Sequence, residues 1–495
     1  MTPTRNRFGR LAGLRIALAV ALAFVLAGCE AASRLDLGER VPLREPPAKH
    51  AADASPALRE HQRILAAYGG VYHDARLEAL ISNTVERLVA ASEKPDLRYK
   101  VTILNSPSVN AFALPTGQLY VTRGLLALAN DTSELASVLA HEMGHVIARH
   151  AAIREEQLRQ AELVSQVASD VFKDPQVGAL ALAKNKLALA TFSRGQELEA
   201  DGIGVGISSR AGFDPNGAVH FLTSMARNAE LRPASGGVDP RMLDFLASHP
   251  ATPERIKIAE ANAKQYTGAT GAAAGEKDKA AYLATLDGMV YGEDPGDGLV
   301  RGRRFLHPRL GFTFTAPETF SLENTAQAVL GVKDGGGQAL RVDVVKVPAE
   351  QSLADYLVSG WIDNVDKDSI EQLTVNGFAA ATAAAKGDEW TFRLYVVRYG
   401  NEVYRFIFAA KHRSAELDRV FREAVNSFRR LTPAEVQGAK PLHLKVVTVA
   451  PRESAEQLAA RMAIADRRLE RFLVLNGLKA GDPLKPGDQV KIIVE

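Results

Sequence analysis

A multidomain α+β fold is expected, on three observations. The chain has 495 residues, more than a single hydrophobic core serves, so two to four domains follow. Apolar residues recur at three- and four-residue steps as far as about residue 262, the period of helices that pack by one face. Beyond about residue 299 they alternate in short β-branched and aromatic runs, the period of strands. With 46% hydrophobic and 24% charged residues, the composition is globular, which excludes a disordered or fibrous chain. The net charge of +2 conceals an asymmetry. Arg5, Arg7, Arg10 and Arg15 occupy the first 28 residues with no acid, and without those four the 60 basic residues become 56 against 58 acidic. A charge near −2 offers no basic field, so no nucleic-acid partner is expected.

Residues 1–28 read as a signal peptide. The four arginines precede "IALAVALAFVLAG", an apolar run that ends in small residues and is too short for a comfortable membrane span. Cys29 follows directly and is the single cysteine, which rules out an intrachain disulfide. Leu26-Ala27-Gly28-Cys29 resembles the bacterial lipobox. That resemblance implies a Cys29 lipidated after cleavage and a membrane anchored through it. The alternative is a plain secretory signal or an uncleaved anchor, with Cys29 incidental. Glu30 stands where Asp commonly signals inner-membrane retention, so the sorting rule of such lipoproteins implies the periplasmic face of the outer membrane.

The remaining elements follow in order. Residues 29–57 carry Pro, Ala and charge without an apolar period and read as a tether. Residues 58–262 form the first folded domain. A helical pattern begins around His61, and 75–92 places Leu77, Leu80, Ile81, Val85, Leu88 and Val89 on one face. Segments 99–105 and 111–122 read as two strands, the second broken at Pro115-Thr116-Gly117. A second helix runs from Ser133, as N-cap, to about His150. The pattern stays helical to 228, with breaks at "KDPQ" and "AGFDPNG". The loop "LRPASGGVDPR" and then "SHPATPERI" with a short helix complete it. Residues 263–298 read as a linker by composition. Residues 299–433 form an α+β module in which Phe312, Phe314, Trp361 and Trp390 alternate as core positions do. No motif there attaches to chemistry. Residues 441–495 close the chain with a small βααβ pattern.

The chemistry concentrates in "HEMGH", residues 141–145. At about 100° per residue, His141 and His145 fall one turn apart on one face. Two imidazoles so spaced meet one ion, and Glu142 reaches a water beside it without ligating: two zinc ligands and a general base. The bland alternative is a helix with core or solvated histidines. The apolar flanks "SELASVLA" and "VIA" count against it, because buried histidines and a buried Glu need partners. His150 projects to the opposite face and is not taken as a ligand. Fifty-two residues after His145, "ELEAD" sets Glu197 and Asp201 on one helical face. Glu197 completes a His₂Glu set with one position left for water. Asp201 then accepts from a ligand histidine and fixes its tautomer. Glu199 points away and reads as solvated. The alternative for Glu197 is a surface ion pair with Arg194.

The pairing of "HEMGHVIARH" with "SRGQELEAD" resembles peptidase family 48, the HtpX and CAAX-prenyl-protease type of zinc peptidase. The stretch from "SVNAFALPTGQLYVT" through "HEMGHVIARH" is similar to its periplasmic, BepA-like branch. So are "YGGVYHDARLEALISNTVERLVAAS" before it and "SHPATPERI" after it. The resemblance covers about residues 60–262. It implies a mostly helical gluzincin fold and one zinc per chain, with His141, His145 and Glu197 as ligands and Glu142 as catalytic base. It also implies protein or peptide substrates, misfolded or stalled in the cell envelope. It sets the "SHPATPERI" loop near the cleft, which makes His249 a second catalytic candidate: an oxyanion donor, or a cap on the open zinc position. A helix-capping turn before Pro250 is the bland alternative for His249. Arg255 is the weaker donor candidate. Asn110–Leu114 offers a strand edge to an extended substrate. Where the branch reads Pro-Gly-Gly, this chain has Pro115-Thr116-Gly117, which brings the local turn into question.

The C-terminal "SAEQLAARM…LERFLVLNGL…LKPGDQVKIIV" resembles a LysM domain through Asn476, Leu484 and Pro486-Gly487. It departs at Arg452-Glu453, where Gly-Asp is usual. The resemblance implies peptidoglycan as a partner; a packing module of the same shape is the alternative. Taken together, the expectation is a lipid-anchored, periplasm-facing zinc endopeptidase. The competing readings are a non-catalytic chaperone or cell-wall scaffold with an occluded zinc site, and a peptidoglycan hydrolase.

Overall fold

The computed structural model describes residues 55–172, 192–231, 249–250, 252–266, 274–325, 328–333, 335–387, 390–464 and 466–495, all within one compact unit, Pro47–Glu495. The expected signal peptide, Cys29, nearly all of the tether, the "KDPQ" break and most of "LRPASGGVDPR" lie outside the described residues.

Ser55 caps helix α1, Pro56–Ala67, with Pro56 at the first helical position. Asp74 caps α2, Ala75–Ala91, whose Leu77, Ile81, Val85 and Leu88 form its buried stripe. Strands β1, Lys100–Leu104, β2, Ala111–Ala113, and β3, Gln118–Thr122, form a sheet of order β1-β3-β2. The expected strand 111–122 is therefore a hairpin of two. Gly117 takes φ 83 in its turn, and a Cβ there would stand 2.6 Å from the Arg98 carbonyl oxygen. The left-handed position thus falls on a glycine the chain keeps, and Thr116 is tolerated.

After α3, Arg123–Leu128, comes α4, Thr132–Ile147. Asp131 caps it, in place of the expected Ser133; the Asp131 carboxylate accepts from the Glu134 amide, while Ser133 Oγ accepts from the Asp214 amide. Helix α4 also stops short of His150. Arg149 turns left-handed, φ 58, and His150 opens a separate helix, α5, His150–Phe172. Helices α6, Arg194–Arg210, α7, Gly217–Glu230, and α8, Pro253–Tyr266, complete this body.

The reading of 263–298 as a linker needs correction. Ala274–Leu286 is helix α9, and Tyr282, Leu283, Leu286 and Met289 are buried in the core shared with α2 and α4. The Ala-, Gly- and Lys-rich start of the segment hid a short apolar stripe at its end. Strand β4, Val290–Tyr291, follows.

The chain then leaves on an excursion with cores of its own. Strands β5, Leu299–Arg301, β6, Arg304–His307, and β7, Phe312–Thr315, are followed by β8, Phe320–Asn324, β9, Val329–Lys333, and β10, Gln338–Lys346. After α10, Leu353–Leu357, come β11, Val365–Val375, β12, Phe378–Lys386, β13, Thr391–Tyr399, and β14, Glu402–Ala410. Helix α11, Ala415–Asn426, strand β15, Arg429–Arg430, and helix α12, Pro433–Gly438, end it. The larger sheet runs β11-β12-β13-β14-β10-β9-β8 and the smaller β15-β7-β6-β5. Both faces of the larger sheet are covered: Tyr395 and Val397 of β13 join one cluster and Leu394 and Val396 the other, the alternation of a strand. Phe312 and Phe314 are core, as expected. Trp361 and Trp390 are only half-buried; Trp361 stacks on Tyr356 with the Arg405 guanidinium 4.7 Å from its ring centre.

The chain returns as β16, Leu442–Thr448, α13, Ala455–Ala460, α14, Arg468–Leu475, and β17, Gln489–Val494. These strands form a sheet of order β17-β16-β4, so the excursion is inserted between two neighbouring strands. Leu444, Phe472, Ile492 and Ile493 belong to the same buried cluster as Leu77, Leu135 and Leu139. The C-terminal unit is therefore packed on the N-terminal body rather than strung behind it.

Candidate active site

Helices α4 and α6 come close through one glycine on each, Gly144 against Ala200 and Gly204 against His141. A Cβ on Gly204 would lie 2.9 Å from the His141 amide nitrogen, and one on Gly144 would lie 3.0 Å from the Ala200 carbonyl oxygen. Only bare backbones approach this closely, and the approach lets a side chain of α6 reach the histidines of α4. Ser193 and Gln196 close a capping box at the start of α6, which leaves Glu197 in its first turn, facing inward.

Four groups converge there. His141 Nε2 lies 3.1 Å from His145 Nε2 and 3.3 Å from His249 Nδ1. Glu197 Oε1 accepts from His249 Nδ1 at 2.8 Å and stands 3.5 Å from His145 Nε2, while its Oε2 stands 3.6 Å from His141 Nε2. One atom from each of the four lies within 4.8 Å of all the others, and all four side chains are buried. Arg194, the expected alternative partner of Glu197, pairs with Glu254. Burial opposes the Glu197 charge, but its close contacts with His145 and His249 and the potential of His249 and His141 outweigh it. Its carboxyl is held well below the usual carboxylate range. Burial pushes the His145 imidazole down to about 3, so the ring is neutral, as a ligand must be.

On the far side of His141, Nδ1 is 2.9 Å from Asp201 Oδ1. Arg255 donates to both Asp201 oxygens, from Nε at 2.8 Å and Nη2 at 2.7 Å, and its Nη1 is 2.8 Å from Glu197 Oε2. Burial opposes an Asp201 charge, yet Arg255 and His141 keep the carboxyl low. The Arg255 guanidinium is thus spent on the two carboxylates. Glu142 is buried at the same level, 3.7 Å from His249 Nε2. Its carboxylate accepts from the backbone of Ala113 on β2, and burial raises its pKa.

Two residues set aside by sequence reasoning join the site. His150 Nδ1 lies 2.8 Å from His145 Nδ1, and its Nε2 is 3.2 Å from Glu199 Oε2. The projection of His150 to the far face assumed an unbroken helix; the left-handed Arg149 swings it back. Phe192 also stacks on the His145 ring, centroids 4.0 Å apart. No local pattern marks it.

The donor set fits a cation. With the Nδ1 of His141 donating to Asp201, its Nε2 presents a lone pair toward the Nε2 of His145 at 3.1 Å. Two nitrogens and a carboxylate aimed at one point match the ligand chemistry of zinc.

Comparison with known proteins agrees. Residues 75–263 match the sequence profile of peptidase family M48. Mitochondrial metalloendopeptidase OMA1 of Schizosaccharomyces pombe is 32% identical over 205 residues, 40% of this chain and 58% of that protein. The beta-barrel assembly-enhancing protease of Yersinia pestis is 32% identical over 212 residues, 41% of this chain and 42% of that protein. Its counterpart in Escherichia coli is 31% identical over 202 residues, 39% and 40% respectively. The chain spans 40–58% of the length of these relatives. The matched segment holds the whole converging group, and residues 75–263 of this chain are a peptidase family M48 domain.

Proposed function

We propose that the chain is a zinc-dependent endopeptidase of the bacterial cell envelope, acting on misfolded or stalled envelope proteins, with His141, His145 and Glu197 holding one zinc. The observation that carries this reading is the convergence of both Nε2 atoms and the Glu197 carboxylate beside Glu142. A zinc ion bound there supplies Lewis acidity toward a water and toward the scissile carbonyl. Glu142, ionised, takes the proton of the attacking water and returns it to the leaving amine. Its raised pKa suits both steps. Asp201 orients His141, and Arg255 neutralises the second carboxylate so that the donor set is not overcharged. Among the described residues strand β2 pairs on one side only, and the other edge is offered to an extended substrate beside Glu142.

The test is casein cleavage by the chain from Glu30 onward, run beside Glu142→Gln with zinc measured on both. One zinc in each, with cleavage by the parent alone, supports the reading. Absence of zinc from the parent sinks it, and cleavage of muropeptides but not protein favours a peptidoglycan hydrolase.

A second reading is favoured by His249, which stands among the ligand atoms where a substrate carbonyl would have to come. There it caps the fourth position, and the ring must leave before a peptide is cleaved. His249→Ala raises turnover if the ring caps and lowers it if the ring serves as oxyanion donor. A permanently capped site leaves a chaperone or scaffold.

Lipid anchoring through Cys29 rests on the sequence, the signal-peptide pattern of residues 1–28 ending in "LAGC", and the outer-membrane placement rests on Glu30. No helix among the described residues is long and apolar enough to cross a membrane. A LysM-like role of 441–495 toward peptidoglycan rests on its motif and its strand–helix–helix–strand order. The motif residue Asn476 is engaged internally, donating to the Phe472 and Lys491 carbonyls and accepting from the Lys491 amide.

A further inference from the structure

We infer that His150 is a positioning residue for the metal ligand His145, held in its working tautomer by Glu199. The inference rests on the zinc-site reading and concerns how this chain prepares its second histidine.

The direction of each proton follows from geometry. His145 turns Nε2 toward Glu197 and His141 and Nδ1 toward His150. A ring that ligates through Nε2 keeps its proton on Nδ1. In the 2.8 Å contact His145 Nδ1–H therefore donates and His150 Nδ1 accepts. An accepting Nδ1 puts the His150 proton on Nε2, and that nitrogen faces Glu199 Oε2 at 3.2 Å. The opposite arrangement would protonate His145 Nε2, point N–H at the other donors and bar it from the ion. Every member of the line is thus assigned: Glu199 carboxylate, His150, His145, ion.

The two ligand histidines are consequently prepared in different ways. His141 donates directly to the buried carboxylate of Asp201. His145 donates to a neutral imidazole, itself buried at 1% exposure, and the carboxylate beyond it is 59% exposed. An acceptor on the outer nitrogen fixes the ring plane and raises the basicity of the ligating nitrogen, and loss of such a partner typically weakens metal binding by about 10–100-fold. The left-handed Arg149 makes this possible, since it turns the first residue of α5 onto the rear of His145. Phe192 stacks on the His145 face and restricts the same ring from another side.

The test measures zinc affinity by chelator competition on the full chain, with the visible spectrum of the cobalt(II)-loaded form as a geometric readout. His150→Ala is expected to weaken zinc by about 10–100-fold and to alter the cobalt spectrum. His150→Gln, whose side-chain carbonyl accepts the same hydrogen bond, should restore most of both. Glu199→Gln keeps an acceptor and should cost less than His150→Ala. Parental zinc affinity and cobalt spectrum in His150→Ala overturn the inference while leaving the zinc site standing. So does an equal loss in the Ala and Gln variants that tracks an equal fall in metal-free melting temperature, since that is packing alone. A parent that holds no zinc overturns the zinc-site reading and the inference together.

Discussion

Replacing Lys491 with Ala should destabilise the N-terminal body, although Lys491 lies four residues from the C-terminus. Its side chain is fully buried, and Nζ donates to the carbonyls of Ala127 and Ala129 at 2.7 Å each. These are carbonyls at the end of α3, the second of them two residues before the Asp131 cap of the active-site helix. Burial opposes the charges of both Lys491 and the nearby buried Glu134, while Glu134 and, after it, Asp131 favour the Lys491 charge. Each charge-assisted hydrogen bond is worth about 1.5–3 kcal/mol. Removing one side of a buried charge arrangement costs about 3–5 kcal/mol, because what it faced stays behind. The desolvation cost of the lysine is returned on mutation, so the expected loss is about 3–5 kcal/mol rather than the sum. Urea unfolding should be followed by two probes. Far-UV circular dichroism reports the helical body, and tryptophan fluorescence reports the inserted sheet module, since Trp361 and Trp390 are the two tryptophans of the chain. The dichroism midpoint should fall. A loss below about 1 kcal/mol would refute the argument that the C-terminal strand is a strut of the active-site helix.

Other expectations follow from single contacts. Gly204→Ala should force α4 and α6 apart, since its Cβ would meet the His141 backbone at 2.9 Å; zinc affinity should drop with only modest loss of helix content, and unchanged affinity would count against the close approach as the reason Glu197 reaches the histidines. Arg255→Ala leaves Asp201 and Glu197 buried without their shared cation and should cost about 3–5 kcal/mol in urea unfolding, with Arg255→Lys intermediate because the two-oxygen grip on Asp201 is lost. Burial raises the Glu293 carboxyl to about 7 despite a hydrogen bond from the Val300 amide. The native state then binds more protons than the unfolded chain between about pH 4.5 and 7, so the stability this group contributes is full below about 4.5 and lost as pH rises through about 7. Glu293→Gln, which does not ionise, should gain on the parent by about 1–3 kcal/mol between pH 5 and 8; a difference that does not change with pH would contradict the assignment.

Much of this protein is written in local pattern. The helix period set His141 and His145 one turn apart and Glu142 beside them, because backbone geometry leaves no other placement once the segment is helical. The stripe of Leu77, Ile81, Val85 and Leu88, the alternation in the later strands and the closing strand–helix–helix–strand were legible for the same reason: each is a relation between residues a few positions apart. Breaks in that pattern were harder to read. One left-handed residue, Arg149, ended α4 early and reversed the meaning of His150, and the composition of 263–298 outweighed the few apolar residues that bury α9. Tertiary structure alone decided what met what. The close approach at Gly144 and Gly204 brought Glu197 to the histidines across fifty-two residues of sequence, Arg255 was turned onto the carboxylates, and Lys491 carried the last strand into the core beneath α4. Such meetings depend on how packed faces meet in three dimensions, and no period along the chain records them.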